Sequence, residues 1–313
     1  MRFLLLALAF ATGVAQAQTY PSKPVRFISG VTPGSASDTM ARILAEKLSA
    51  SLGQPVIVEN RLGAGGLVGA KWVATQEPDG HNIMMYASAF TVSTLINPGL
   101  DPKELVPVAR VSGTVVTLGV PASMNVGSLK EFLDTAKQKK GWLNWTTAVT
   151  MSDIILEGFL KTQGIEAAHV RYKQPAEAVN DLISERIQLY SSAYAIVRPQ
   201  TQSGRVKLLA VQARNRVPGL DLPTVSELGF AGLDFEGLVG IIAARSSNLP
   251  KAASERIGVD IKAVSKEPAI AERLAATAQL NTPGDAAEFA ASIDEQVKQL
   301  AESAKRLGMK PKQ

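Results

Sequence analysis

The sequence predicts an α/β protein built as two domains, and three observations carry that reading. At 313 residues the chain has room for two cores, at roughly 100 to 200 residues per domain. Short β-rich runs alternate with helical patterns from the start, the rhythm of parallel strands joined by crossover helices. A second unit with the same alternation fills the middle of the chain.

Taken in order, Val25 to Ile28 reads as the first strand. A helix from about Asp38 to Leu52 follows, with Met40, Leu44 and Leu48 sharing a face. Val56 to Val58 is the next strand. The stretch ENRLGAGGLVGAKWVATQEPDG leads through Gly63, Gly65, Gly66 and Gly69 into a second helix closed by the Pro78-Asp79-Gly80 turn, and Ile83 to Tyr86 is a strand again.

The second unit opens on the β-branched run Val115 to Val120. Ser128 to Glu131 forms a capping box before a helix with Leu129, Phe132, Leu133 and Ala136 inward. Leu143 to Thr146 reads as strand, about Asp153 to Lys161 as helix, and Ala168 to Tyr172 as strand. Pro175 starts another helix, and strands at Ile187 to Tyr190 and Val206 to Val211 complete the unit. The chain then resumes with Phe235 to Ala243 and two amphipathic helices, about Ser254 to Val264 and Ala286 to Leu307. In the last, Ala286, Phe289, Ile293, Val297, Leu300, Ala304 and Leu307 form a stripe that predicts core packing, not a cofactor box.

Composition narrows the function classes. Hydrophobic residues make up 46% and charged residues 19%, with no low-complexity block or internal repeat, so the chain is globular. Met1-Arg2, the apolar run Phe3 to Phe10 and the small-x-small site Ala15-Gln16-Ala17 read as a secretory signal peptide over residues 1–17. The apolar run is too short to span a bilayer core of about 30 Å. The mature chain is expected to start at Gln18 outside the cytoplasm; losing Arg2 takes one charge from +5 and leaves +4.

Cysteine is absent, which excludes disulfides, thiolate metal sites and cysteine nucleophiles. The two histidines, His81 and His169, lack any metal-ligand spacing and are expected to be structural. No G-x-S-x-G elbow accompanies them. The mild basic excess is spread out; its densest cluster, Lys137, Lys139 and Lys140, reads as a solvated helix end. Aromatics are few and do not interleave with Arg and Lys, so nucleic acid is not expected as a partner. No catalytic residue, metal or cofactor is expected.

The stretch ISGVTPGSASDTMARILAEKL is the candidate binding feature. Nearly every residue from Gly30 to Ser37 is small or turn-forming, which leaves the backbone bare where a helix begins. The first amides of a helix lack intrahelical partners and carry roughly half a positive charge, so a carboxylate or phosphate fits there. The competing reading is an ordinary strand-to-helix turn capped by Ser37 or Asp38.

Several segments in order resemble the periplasmic receptors of tripartite tricarboxylate transporters, the Bug-type solute-binding family. They are YPSKPVRFI, the long PGSASDTMARILAEKLSASLGQPVIVENRLGAGGLVGAKWVATQEPDG, INPGLDPKELVPVARV, HVRYK, SGRVKLLAVQARNR and LDLPTVSELGF. The resemblance implies a two-lobed periplasmic binding protein of type II, with a hinge and an interlobe cleft. Residues 18–119 and 235–313 would form lobe 1 and residues 120–234 lobe 2, in agreement with the two alternating units. It further implies a small carboxylate ligand, membrane permease subunits as partners, a monomer, and no enzymatic activity.

Carried over by position, the resemblance places ligand contacts on Thr32, Pro33, Gly34, Ser35, Ala36, Ser37 and Asp38, on Gly65 and Gly66, and on Ser88 and Ala89. In lobe 2 it places them on Thr147, Thr150, Ser152 and Asp153, on Tyr172 and Lys173, and on Ser191 and Ser192. Asp38 has two readings, helix cap or hydrogen-bond acceptor for the solute. Asp153 likewise either favours a helix dipole or faces the cleft, where it would disfavour a second carboxylate.

The chain also departs from the family pattern. Pro-Gly-Gly-Gly-Thr-Asp is here Pro33 to Asp38 with Ser35, Ala36 and Ser37, Asp153 stands where histidine is common, VPYKGG has become VRYKQP, and Ser191-Ser192 replace an acidic-amide pair. Two rival functions are weaker. A dinucleotide enzyme would need G-x-G-x-x-G after Gly63, but the third glycine, Gly69, falls one place late. A sensor subunit for a membrane signalling protein shares every feature above.

Overall fold

The computed structural model describes residues 20–31, 33, 36–88, 90–91, 100–148, 150–172, 174–245, 250–277 and 279–308. The expected signal segment, 1–17, lies outside them. Among the described residues the strands form two sheets. β1 (Val25–Ser29), β2 (Val56–Asn60), β3 (Asn82–Ala87), β4 (Leu105–Thr114), β10 (Gly237–Ala244) and β11 (Gln279–Leu280) make a six-stranded sheet ordered β11-β4-β10-β3-β1-β2. β5 (Val116–Pro121), β6 (Leu143–Thr147), β7 (Ala167–His169), β8 (Leu189–Ala193) and β9 (Val206–Val211) make a five-stranded sheet ordered β7-β6-β8-β5-β9.

The helices are α1 (Ala36–Leu52), α2 (Leu67–Ala74), α3 (Leu129–Gln138), α4 (Thr150–Thr162), α5 (Pro175–Ile183), α6 (Tyr194–Gln202), α7 (Lys251–Val264), α8 (Pro268–Ala276) and α9 (Ala286–Leu307). Each sheet carries its own buried core, one around Phe27, Leu44 and Ile241, the other around Phe132, Trp145 and Phe159. Parallel pairs β1–β2, β1–β3, β6–β7 and β6–β8 occupy one part of each sheet, and antiparallel strands complete it. In such mixed sheets ligand sites gather at the carboxyl ends of the parallel strands.

The chain crosses between sheets at Val115, where β4 ends and β5 begins, and returns between β9 and β10. The sequence boundary at 119/120 therefore falls inside β5, which pairs along its length with β8 and β9. β-branched residues run unbroken through Val115 to Val120, so composition carries no mark of the crossing. Gln212 ties the two crossings together: its amide donates to the Val116 carbonyl at 2.8 Å, and its own carbonyl accepts from Phe235 at 3.0 Å.

Four elements, β4, α6, α8 and β11, escaped the sequence reading, and the first three contain proline. β4 holds Pro107, which pairs opposite Ile242 beside a register shift in β10, a place where a missing N–H is tolerated. α6 holds Pro199. The Ser128 capping box is half formed. Ser128 accepts from the Glu131 amide at 3.2 Å, but the Glu131 carboxylate takes the Gly127 amide at 2.6 Å instead of closing the box.

The last helix, α9, serves both cores. Phe289 is buried with first-sheet residues such as Tyr86 and Leu238, whereas Leu300 and Ala304 are buried with Phe159 and Leu160 of α4 in the second core. Residue 235–313 thus does not belong wholly to one lobe. The predicted stripe also shifts by one position: Val297 is 47% exposed, and its neighbour Gln296 is buried to reach Ser88 and the Glu236 carbonyl.

Candidate functional site

In the first lobe the structure brings together the turns that follow β1 and β2. A Cβ on Gly30 would lie 2.8 Å from the Gly66 Cα and 3.0 Å from the Met84 Cε, so these two turns touch backbone to backbone. Gly66 precedes α2 with φ +96°, a left-handed conformation that favours glycine. β1 lies between β2 and β3 in the sheet, so the chain switches sides at this end, the usual place for a cleft in open α/β sheets. Helix α1 begins at Ala36, two residues before the predicted start, and α2 begins directly after Gly66.

The side chains expected here turn inward. Asp38 sits in the first turn of α1 and is buried. Its carboxylate accepts from Ser29 Oγ at 3.3 Å, Asn60 Nδ2 at 2.6 Å and Arg42 Nε at 2.9 Å, so it joins β1, β2 and α1. Ser88 is buried too, and its hydroxyl accepts from the Leu238 amide at 2.7 Å and Gln296 Nε2 at 3.0 Å. It therefore fastens β3 to β10 and α9. Pro33 and Gly65 are exposed. Thr32, Gly34, Ser35 and Ala89 lie outside the described residues, and Ala36 and Ser37 are placed by their backbone in α1.

The second lobe presents side chains instead. A pocket of about 370 Å³ opens at the carboxyl ends of β6, β7 and β8, lined among others by Thr147, Asp153, His169, Arg171, Tyr172 and Tyr190. The register explains the gathering. Trp145 pairs with His169 across β6 and β7, and their rings stack at 4.1 Å and 7°; Thr146 pairs with Tyr190 across β6 and β8.

Asp153 has both expected roles at once. It lies in the first turn of α4 and also lines the pocket. One carboxylate oxygen accepts from Thr147 Oγ1 and stands 3.5 Å from His169 Nε2. Burial pushes the Asp153 carboxyl above the ordinary carboxylate range, against the Thr147 hydrogen bond and the charges of His169 and Arg171. Burial likewise pushes the His169 imidazole below its ordinary value, with Asp153 opposing, so the ring is neutral at pH 7.

Three predicted contacts lie inward. Ser152, Ser191 and Ser192 are fully buried: Ser191 Oγ bonds Gln212 Oε1, and the Ser152 and Ser192 hydroxyls have no partner among the described residues. At these inward positions they pack the lobe instead of lining the pocket. Tyr172 lines it, with its hydroxyl donating to Asp181 at 2.8 Å. Thr150 is placed by its backbone in α4, and Lys173 lies outside the described residues.

Arg171, His169 and Tyr190 were not among the expected contacts. Arg171 carried a sequence signal, since it stands in the departure VRYKQP. His169 and Tyr190 carried none, because their place depends on strand register. Arg171 is exposed and has no ion-pair partner among the described residues. The Tyr190 hydroxyl is buried without a partner among the described residues, and burial pushes its pKa up to about 12, so it is a donor at every physiological pH. The N-terminal end of α5 also meets the pocket at Gln174 and Pro175, with no side-chain cap. Together these groups suit an anion. Among the described residues no group of His, Cys, Asp and Glu is placed to hold a metal, and no helix is long and apolar enough to cross a membrane.

The family model described as a tripartite tricarboxylate transporter family receptor matches residues 40–309. A UPF0065 protein of Bordetella bronchiseptica is 32% identical over 304 residues, covering 94% of this chain and 90% of that one. The solved structure of the periplasmic binding protein BugD shares 28% identity, with a TM-score of 0.70 over 93% of this chain and 99% of that chain. MatC from Rhodopseudomonas palustris with bound malate has a TM-score of 0.69 at 22% identity, over 91% of this chain and 99% of that one, a likeness of fold.

Proposed function

The chain belongs to the tripartite tricarboxylate transporter receptor family, and from that membership we propose that it captures a small carboxylate between its lobes and delivers it to the membrane subunits of such a transporter. The family is one of solute receptors, not of enzymes. The observation that carries the reading for this chain is the second-lobe pocket, where Arg171, the Tyr190 hydroxyl and an uncapped helix start face one space at the strand ends. Opposite this, the bare turns before α1 and α2 would supply backbone amides to a carboxylate.

All the residues lining that pocket lie between Thr146 and Tyr190, so a solute held there touches the first lobe only if the lobes draw together. Closure by hinge motion about Val115 and Gln212 follows. Small-angle scattering should show the radius of gyration falling when a binding carboxylate is added. A solute that raises the melting temperature without compaction would remove the clamshell mechanism. The receptor acts in the periplasm as a monomer, and residues 1–17 are removed on export, which intact-mass analysis of the periplasmic protein reads directly.

A further inference from the structure

We infer that Arg171 makes this receptor select solutes carrying a second anionic group. The inference rests on the cleft reading above and deepens it. Asp153 is the single carboxylate lining the pocket among the described residues, and it is already engaged by Thr147 and faces His169. Arg171 lines the same space without an ion-pair partner. Its positive charge offsets, in the same space, the repulsion of a second carboxylate expected from Asp153 alone.

A second, independent observation points to a missing acceptor. Tyr190 is 1% exposed, it lines the pocket, and its hydroxyl has no partner among the described residues. Buried donors in folded proteins are almost always satisfied, so a ligand acceptor is called for here. The start of α5, which no side chain caps, adds the positive end of its helix dipole from the same side. An anionic group bound at this point would receive the guanidinium, the phenol and the helix end together.

The test uses the mature chain and matched acid pairs, adipate against hexanoate and succinate against butyrate, titrated by calorimetry into the wild type, Arg171→Gln, Arg171→Lys and Tyr190→Phe. A hydrogen bond to a charged group supports a preference of about tenfold or more for the diacid of a pair that binds. Arg171→Gln should bring the ratio close to one by lowering diacid affinity more than monoacid affinity, and Arg171→Lys should keep part of the ratio. Tyr190→Phe should lower the ratio by about threefold. Arg171 is exposed, so its variants fold, and circular dichroism checks this for Tyr190→Phe. A wild-type ratio of one, or a loss in Arg171→Gln shared equally by both acids of a pair, overturns the inference and leaves the receptor reading standing. Failure of every acid to bind or to raise the melting temperature overturns the receptor reading as well.

Discussion

The two lobes face the cleft with different materials. The first meets it with backbone: glycine-rich turns in contact at Gly30 and Gly66, and polar side chains, Asp38 and Ser88, spent on internal hydrogen bonds. The second meets it with side chains on three neighbouring strands and two helix starts. The difference divides the work. Backbone amides recognise a carboxylate but are hard to retune by single substitutions, since each glycine is also a packing contact. Side chains at strand ends can be exchanged without disturbing the sheet, so under the proposed function this lobe is where a solute is told from its relatives.

The largest expected effect comes from Asp38→Ala. Removing the carboxylate leaves Asn60, Ser29 and Arg42 without their buried acceptor, and stability measured by urea unfolding should fall by about 3 kcal/mol. The ranking of solutes should not change. A loss of affinity at unchanged stability would instead make Asp38 a solute contact and blur the division between the lobes.

A middle effect is expected from Thr147→Val, which removes the hydrogen bond that fixes Asp153 but keeps the strand's shape. Stability should change by less than about 1 kcal/mol, with calorimetry showing solute affinity reduced by roughly threefold to tenfold. If affinity holds while stability drops by several kcal/mol, the second lobe is no more tunable than the first.

The smallest effect concerns pH. The His169 imidazole is held below its ordinary value of 6.5 in the folded chain. The unfolded chain therefore binds a proton first as pH falls through that value, and folded stability decreases with falling pH across the window just below it. Asp153 has the opposite sign: its raised carboxyl takes up a proton in the folded chain first, which offsets the loss at lower pH. His169→Gln should flatten the melting temperature across that window. An unchanged slope would mean that another group sets it.

Much of this was readable from the sequence because local chemistry decided it. Val206 to Val211 and Ala286 to Leu307 match the observed elements at both ends, since the first is a run of strand formers and the second opens on a full capping box at Asp285 and Glu288. The glycine turns were legible for the same reason. The direction of a polar side chain was not. Ser88, Ser191 and Ser192 are small polar residues after strands, as a binding loop would have, yet partners far away in sequence, Gln296 and Gln212, draw Ser88 and Ser191 inward. His169 gained its place from pairing beside Trp145, a register that no local pattern encodes.

Helix α9 limits how far the lobes can be treated as interchangeable parts. Its Phe289 half is buried against the first sheet, and its Leu300 and Ala304 half closes the core of the second. A chimaera that exchanged residues 116–234 for those of a relative would import a core without the surface that seals it, because that surface is encoded some seventy residues later. Truncating Leu300 to Ala alone removes packing of the kind that costs about 2 to 5 kcal/mol. Grafting a new specificity onto this receptor thus has to carry the end of α9 along with the pocket, so that the unit of inheritance is wider than the unit of recognition.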